Sequence, residues 1–443
     1  MAAQMDVQSL VNSIARARPE IRFDISGSGV EDQTVKIKED ESLDQSASQR
    51  TNATLRVWNT DGRVGVVQIT SLEQNEILNA IDVALESAAL GPADSLPELP
   101  VAVHAESLPA LSASASAPVP LHDLSDSLLA GVRQLKGMHA DITGVPYNAV
   151  SQRRMDRFYA NSDGLIRRQS GGSVSTYLYA RGQAQGHKPR AAGHWNHALS
   201  LPDLNIGDVA KTAGELLVSH LHPVKIQSGQ YPVVFSGHAF LDLLDAFSNL
   251  FNAQNILDQQ SLHSKESLGT SVASPLLSVS DDPLHPLNVS PALFDGEGTA
   301  VRRTVLLDRG SLTGLWHHSV SAKVFNAGKT GHARVGAKMS VGPWFYNVAA
   351  GNGLGNAADD CIWIDELEAL HAGVNPLQGS FSLPFLGYRQ RNGKRESLEG
   401  VTVAGDILTL LQSITAVDNK QERASGGVCP AIAVSSLSIT CEG

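Results

Sequence analysis

Apolar positions recur along this chain in two rhythms, one helical and one alternating. Val7, Leu10, Val11 and Ile14 fall three or four apart, which predicts a helix over 6–17 that stops before Pro19. Short alternating runs follow at 21–26 and 34–38, and a longer β-rich run spans 54–70. Asp61-Gly62 lies inside that run and reads as a hairpin turn. Ser71 and Gln74 have capping-box spacing and open a helix reaching about residue 89, with Ile77, Ile81, Val83, Ala84 and Ala88 toward its buried side. Residues 91–120 break the rhythm with a Pro, Ala and Ser-rich stretch, read as an exposed connection. The helical period returns over 121–136 through Leu124, Leu128, Leu129, Val132 and Leu135, and again over 206–219. Between these helices, 148–169 and 173–185 read as strands, with a turn at 161–164.

The second half begins near Gly229. Residues 231–235 form a buried-type strand, and 240–251 carry a helical apolar stripe opposite Asp242, Asp245, Asn249 and Asn252. Strand-rich stretches are predicted at 271–279, 302–307, 311–317, 379–391 and 400–403. The fold class is therefore α+β: an N-terminal helix and antiparallel-strand domain over 1–222, including the 91–120 connection, and a β-rich C-terminal domain with packed helices over 223–443.

Composition narrows the function classes. The net charge of −11 argues against direct binding to nucleic acid, whose phosphates call for clustered Lys and Arg. Three widely spaced cysteines, Cys361, Cys429 and Cys441, give neither a disulfide framework nor a CxxC metal pair. The N-terminus lacks the apolar core of a signal peptide, and no run of 18 apolar residues occurs, so a cytoplasmic, membrane-free protein is expected.

The candidate chemistry is sparse. No His-Glu dipeptide occurs among the fifteen histidines, which excludes HExxH-type helices. His194 and His197 are assigned to a polar loop, and His220 and His222 to structural or surface roles. His317 and His318 end a predicted strand and diverge. Asp281-Asp282 and Asp359-Asp360 read as solvated turn pairs, and Asp295-Gly-Glu297-Gly298 as a polar turn. Cys361 reads as a buried or loop thiol. Residue chemistry alone reaches an α+β protein with no self-evident active site.

Several motifs carry more. FDGEGTAVRR at 294–303, TVLLDRGSLTGLWHHSVSAKVF at 304–325 and TGHAR at 330–334 occur in that order. They are joined by GQYPVVFS at 229–236, LGTSVASPLLSVSDDP at 268–283, GVNPLQGSFS at 373–382 and EGVTVAGDILTLLQSI at 399–414. Together they resemble the TldD/PmbA family, also called modulator of DNA gyrase, over nearly the whole chain. That resemblance implies one of two subunit types. TldD-type chains are peptidases with an HExxxH zinc helix and a later cysteine ligand; PmbA-type (TldE) chains lack the motif and pair with a TldD-type chain. Here the corresponding positions are Asp245, Ala246 and Leu250, and no histidine lies between His238 and His263. The resemblance therefore implies a non-catalytic TldE/PmbA-like subunit with no cofactor of its own, zinc being expected in a TldD-type partner. It also implies an extended peptide as substrate, with His238, Thr330, Gly331, His332, Gly379 and Phe381 as candidate cleft contacts. The run 383–386, Leu-Pro-Phe-Leu, departs from the small polar residues expected there. Two other readings stay open: a stand-alone homodimer binding peptides or small molecules, and an enzyme with a divergent site using Asp242 or Asp245 with a distant His, the two aspartates being spaced to share a cation.

Overall fold

The first apolar stripe forms α1 (Val7–Ala17) and buries Val7, Leu10, Val11 and Ile14. The computed structural model describes residues 7–90, 106–109 and 118–441; most of the 91–120 connection lies outside them. After α1 come β1 (Arg22–Ile37), β2 (Leu43–Trp58) and β3 (Val64–Ile69), then α2 (Gln74–Leu90) and α3 (Leu121–Lys136). The unit closes with β4 (Ile142–Asn161), β5 (Ile166–Gly182), β6 (Arg190–Ala198) and α4 (Ile206–Ser219). The strands make one antiparallel sheet in the order β3-β2-β1-β4-β5-β6.

The Asp61-Gly62 turn forms as expected, with Gly62 at a positive φ of 75°, and α3 and α4 have the bounds their apolar period predicts. Three corrections follow. β1 runs unbroken through the polar residues between the two predicted runs, and β2 begins eleven residues earlier than expected, at Leu43 rather than residue 54. Pairing along both edges holds β1 extended where its side chains are polar. His194 and His197 lie in β6, not in a loop. Val83 stands off the buried stripe of α2 and is 53% exposed. Gly65 explains how close α2 comes: a Cβ there would lie 1.7 Å from the Ala84 carbonyl oxygen.

Side-chain alternation gives this sheet two unlike faces. Odd positions of β1 and β2, such as Phe23, Ile25, Leu55 and Val57, pack with α1 and α2 in one core. Val35, Ile37, Val150, Val174 and Leu178 pack with α3 and α4 in a second. The opposite face is polar, and the cross-strand register stacks its residues in rows: Ser46, Thr34, Ser151, Ser175 and His197; then Asn52, Ser28 and Arg157; then Arg56, Asp24 and Asn161. All four helices leave this face to the C-terminal half.

Among the described residues the C-terminal half is built on a twelve-stranded sheet. It starts with β7 (Gly229–Phe235) and α5 (Gly237–Ala246). The last strand, Gly427–Cys441, pairs with β7 and with Val401–Asp406, Ile414–Ala424 and Tyr346–Val348. The core joins Phe235, Phe240, Phe247, Phe251, Trp316 and Tyr346, several in edge-on contact, such as Phe251 against Trp316 at 5.8 Å. Leu383 and Phe385 belong to the same core, so the 383–386 departure lies in a packed strand, Ser380–Arg391.

The predicted helix over 240–251 is shorter than its stripe. It ends at Ala246; Phe247 leaves helical geometry at φ −107°, and Ser248–Phe251 forms a 3-10 turn. Asn249 and Asn252, expected on a polar face, are buried. The Asn249 amide donates to Gln260 and Pro376 carbonyls, and the Asn252 side chain caps α6 (Ala253–Leu257). The strand expected over 311–317 is reduced to Ser311–Leu312, because His318 caps a new helix, α7 (Ser319–Phe325). Among the described residues no helix is long and apolar enough to cross a membrane.

Candidate functional site

The polar face of the N-terminal sheet meets the C-terminal half across a cleft, and a buried ionic network pins the two together. Arg56 Nε and Nη2 donate to the two Asp24 carboxylate oxygens at 2.8 and 2.5 Å. Its Nη1 stands 3.6 Å from Glu297 of the DGEG turn. Glu297 also accepts from the Ser319 backbone N at 2.8 Å and hydroxyl at 2.6 Å, at the start of α7. The Tyr159 hydroxyl donates to Asp24 at 3.3 Å. The guanidinium and both carboxylates are buried, so each charge depends on the others for solvation. The polar turn is thus an inter-sheet joint. Gly298, at φ 73°, is required there, since a Cβ would sit 2.4 Å from the Tyr159 ring.

A second buried group holds the TGHAR segment. Asp281, expected in a solvated turn, is fully buried, accepts from the Trp344 and Phe345 backbone N at 2.9 and 3.0 Å, and faces His332 Nε2 at 3.2 Å. His332 stacks on Trp316. His317 and His318 are both buried, His317 against Phe325 and His318 against Gln254. His318 Nδ1 accepts from the first backbone N–H groups of α7.

At the start of α5 a cavity of 330 Å³ opens between the sheets. Ser236 caps the helix by accepting from Ala239 N and donates to the Asp365 carbonyl at 2.7 Å. His238 lies two residues on, 3.4 Å from Asp242. Tyr179, His194, Trp195, Asp365, Glu366, Glu422 and Arg423 complete the walls. Burial raises the Asp242, Glu366 and Glu422 carboxyls and lowers His194, whose neighbour His238 acts in the same direction. The walls offer hydrogen-bond acceptors and aromatic surface suited to a polar chain lying in the cleft. A larger cavity of 610 Å³ continues along β1, β2, β4, β5 and β6 past Asp32, Arg153, Tyr177 and His197.

Of the expected cleft contacts, His238 lines a cavity. Thr330 spends its hydroxyl on the backbone of His317, at 2.8 and 3.1 Å. Gly331, His332, Gly379 and Phe381 are buried in packing, with Phe381 against Phe247. These five are structural positions, and the correction has one cause: turn and signature residues near a sheet edge were read as surface without knowing what covers them. Trp195, Arg157, Arg334 and Trp344 line the cleft instead. Only the alternation of β4 and β6 hints at the first two, and nothing local marks the last two.

Comparison with known proteins identifies this architecture. Residues 228–441 match the family model described as the PmbA/TldA metallopeptidase C-terminal domain, and 115–221 match the corresponding central domain. The chain belongs to the TldD/PmbA family. A Haemophilus influenzae protein named metalloprotease PmbA homolog is 23% identical over 219 residues, covering 49% of this chain and 47% of that protein; the chain spans about half the length of the curated relatives it matches. Among solved structures, a Thermotoga maritima protein described as a candidate modulator of a DNA gyrase has a TM-score of 0.84 at 22% identity, covering 98% of this chain and 100% of that one. TldE from Thermococcus kodakarensis has a TM-score of 0.78, also at 22% identity, covering 98% and 99%. The shared fold extends over both sheets.

The zinc that the resemblance implies for a TldD-type chain does not fit the residues present here. Of Asp245, Ala246 and Leu250, the first alone carries a donor, and Leu250 is fully buried four residues beyond the end of α5. The next histidine, His263, is buried and bonds the Leu250 carbonyl oxygen at 3.1 Å. Cys361 is buried in a strand, where desolvation pushes its thiol up to about 11. Among the described residues no group of three or more His, Cys, Asp or Glu side chains is arranged to hold a metal ion.

The cleft histidine His197 gives a pH prediction. Burial first, then Arg423 and Arg153, lower it to about 4. An unfolded histidine titrates near 6.5. Between those values the unfolded chain binds a proton that the folded chain refuses, so stability falls as pH drops through this window. His317, lowered to about 4 mainly by burial, acts in the same sense. In His197→Gln the slope of unfolding free energy against pH from 6.5 to 4.5 should lessen by ~1 proton. Urea titrations at stepped pH check this, and an unchanged slope contradicts it.

Proposed function

We propose that this chain is the non-catalytic TldE/PmbA-type subunit of a TldD-type zinc peptidase, and that it holds an extended peptide in the cleft between its two sheets. One observation carries the reading. The positions of the HExxxH ligands are Asp245, Ala246 and Leu250, while the cleft beside them keeps its walls, its capped helix and its inter-sheet joint. A peptidase needs a general base and ligands that hold the metal open to water; this chain has neither at those positions. In this reading the hydrolytic centre belongs to the partner, and this subunit supplies surface. Row upon row of Ser, Thr and Asn along the sheet offers hydrogen bonds to any backbone, which suits substrates chosen for being extended more than for their sequence.

Co-expression with a TldD-type chain tests this. The expected result is a mixed dimer containing zinc in the partner chain alone, with peptidase activity absent from this chain by itself. Stoichiometric zinc and peptide cleavage by the isolated chain would overturn the proposal. A self-paired dimer that binds peptides and ignores the TldD-type chain would point to a stand-alone binding protein instead.

A further inference from the structure

Two arginines in the cleft share one indole, and neither is ion-paired to a carboxylate among the described residues. Arg334 stacks on Trp344 at 3.5 Å from its ring centre, and Arg157 lies 5.0 Å from the same ring. The Arg334 Nη2 donates to the Pro343 carbonyl at 2.7 Å. Among the described residues, neither guanidinium has a carboxylate within ion-pair distance, and Arg157 has no hydrogen-bond partner. The two nearby acids are already committed. Asp295 accepts from the backbone N of Glu297, Thr299 and Ala333 at 2.9, 2.9 and 3.0 Å. Asp281 is held by Trp344, Phe345 and His332. Burial lowers both arginines and in Arg334 the neighbouring Arg157 adds to it; Asp295 opposes the shift in both, and Asp281 in Arg334, without reversing it. Two like charges held together in a half-buried site cost free energy unless an anion joins them.

The place they occupy is a cavity of 390 Å³ bounded by the polar face of β1 and β2, the end of β3 and the Ala333–Arg334 strand. Apart from the arginines and Asp295, its polar lining is neutral, including Ser26, Ser28, Asn52, Thr54 and Gln68. We infer that this cavity is a carboxylate subsite, in which Arg157 and Arg334 grip the carboxylate of an extended peptide lying in the cleft. Planar guanidinium groups with several N–H donors match a carboxylate better than a lysine would, and stacking on Trp344 fixes the orientation of at least one of them. The neutral hydroxyls and amides beside them suit the adjoining peptide backbone. The carboxylate comes either from the peptide C-terminus or from an Asp or Glu side chain. The inference rests on the proposal that the cleft takes peptides.

Calorimetric titration of the purified chain with three N-acetylated peptides of Ala, Leu and Gly separates these cases. One peptide ends in a free carboxylate, one in an amide, and one in an amide with an internal Glu. The free acid, the Glu peptide or both should bind at least ~10-fold more tightly than the plain amide, as loss of a charge-assisted pair implies. Arg157→Gln should erase that difference and leave the amide's affinity within ~2-fold, while Arg157→Lys should restore part of it. Equal binding of all three peptides overturns the subsite but leaves the cleft's peptide role standing. Failure to bind any of them overturns both. If Arg157→Gln does not fold, loss of the acid-over-amide preference in Trp344→Phe serves instead, and an unaltered preference there counts against the subsite.

Discussion

Replacing Arg56 with methionine should lower the thermal midpoint of this chain by about 3–5 °C, corresponding to a loss of about 3–5 kcal/mol. The reason lies in what remains behind. Asp24 is 1% exposed and Glu297 3%, and Arg56 stands between them. Without the guanidinium, two carboxylates from different halves of the molecule face each other away from water. Tyr159 and Ser319 still donate to them, but hydrogen bonds from neutral groups cannot offset a second like charge. Stability would then depend on protonating one carboxylate. Its folded pKa is raised by the loss, so the favourable term is present at low pH and disappears as pH rises through that value. The deficit of Arg56→Met against the unaltered chain should therefore shrink on going from pH 8 to pH 5.5. Calorimetric scans at both values test this. A midpoint within ~2 °C of the parent at pH 8 would mean that the joint contributes little.

The second large effect concerns the zinc positions. Writing the family's zinc motif back in, as Asp245→His, Ala246→Glu and Leu250→His together, should yield a protein with almost no bound zinc that is less stable by about 2–5 kcal/mol. An HExxxH motif needs both histidines to reach one ion. Here the α-helix stops at Ala246, and Leu250 sits in the following 3-10 turn with its side chain in the core. A histidine at 250 would replace packed methyl groups with an unpartnered imidazole. The turn is fixed from outside as well: Asn249 is tied to Gln260 and Pro376, and His263 to the Leu250 carbonyl. Zinc content by mass spectrometry and the urea midpoint give the two readouts. One zinc per chain at an unchanged midpoint would show that the helix extends readily, and the scaffold reading would lose its structural support.

How much of this was legible beforehand depended on where the decisive neighbours lie. The helices Leu121–Lys136 and Ile206–Ser219 were legible to the residue because each packs one apolar stripe on a sheet, so burial and periodicity say the same thing. The Asp61-Gly62 hairpin was legible because turn chemistry is local. Residues 27–33 and 43–53 were not, since their polar runs are strands held by cross-strand hydrogen bonds, the first run from both sides and residues 43–52 by β1 alone, while facing a cleft the sequence does not reveal. The closing strand Gly427–Cys441 was missed too. It carries Pro430, and its continuous apolar run reflects burial on both faces instead of alternation.

By itself, then, the sequence determined the α+β class, the membership marked by FDGEG and TGHAR, and that the side chains at 246 and 250 carry no metal-binding atom. Each of these follows from local pattern or from which atoms a side chain contains. The tertiary structure alone decided that Asp24, Arg56 and Glu297 form one joint, that four of the six expected cleft contacts are packed inside, and that Arg157 and Arg334 meet at Trp344. Those outcomes depend on which strands become neighbours. Register and burial are properties of the assembled sheets, set by contacts between segments far apart in the chain, and no local pattern encodes them.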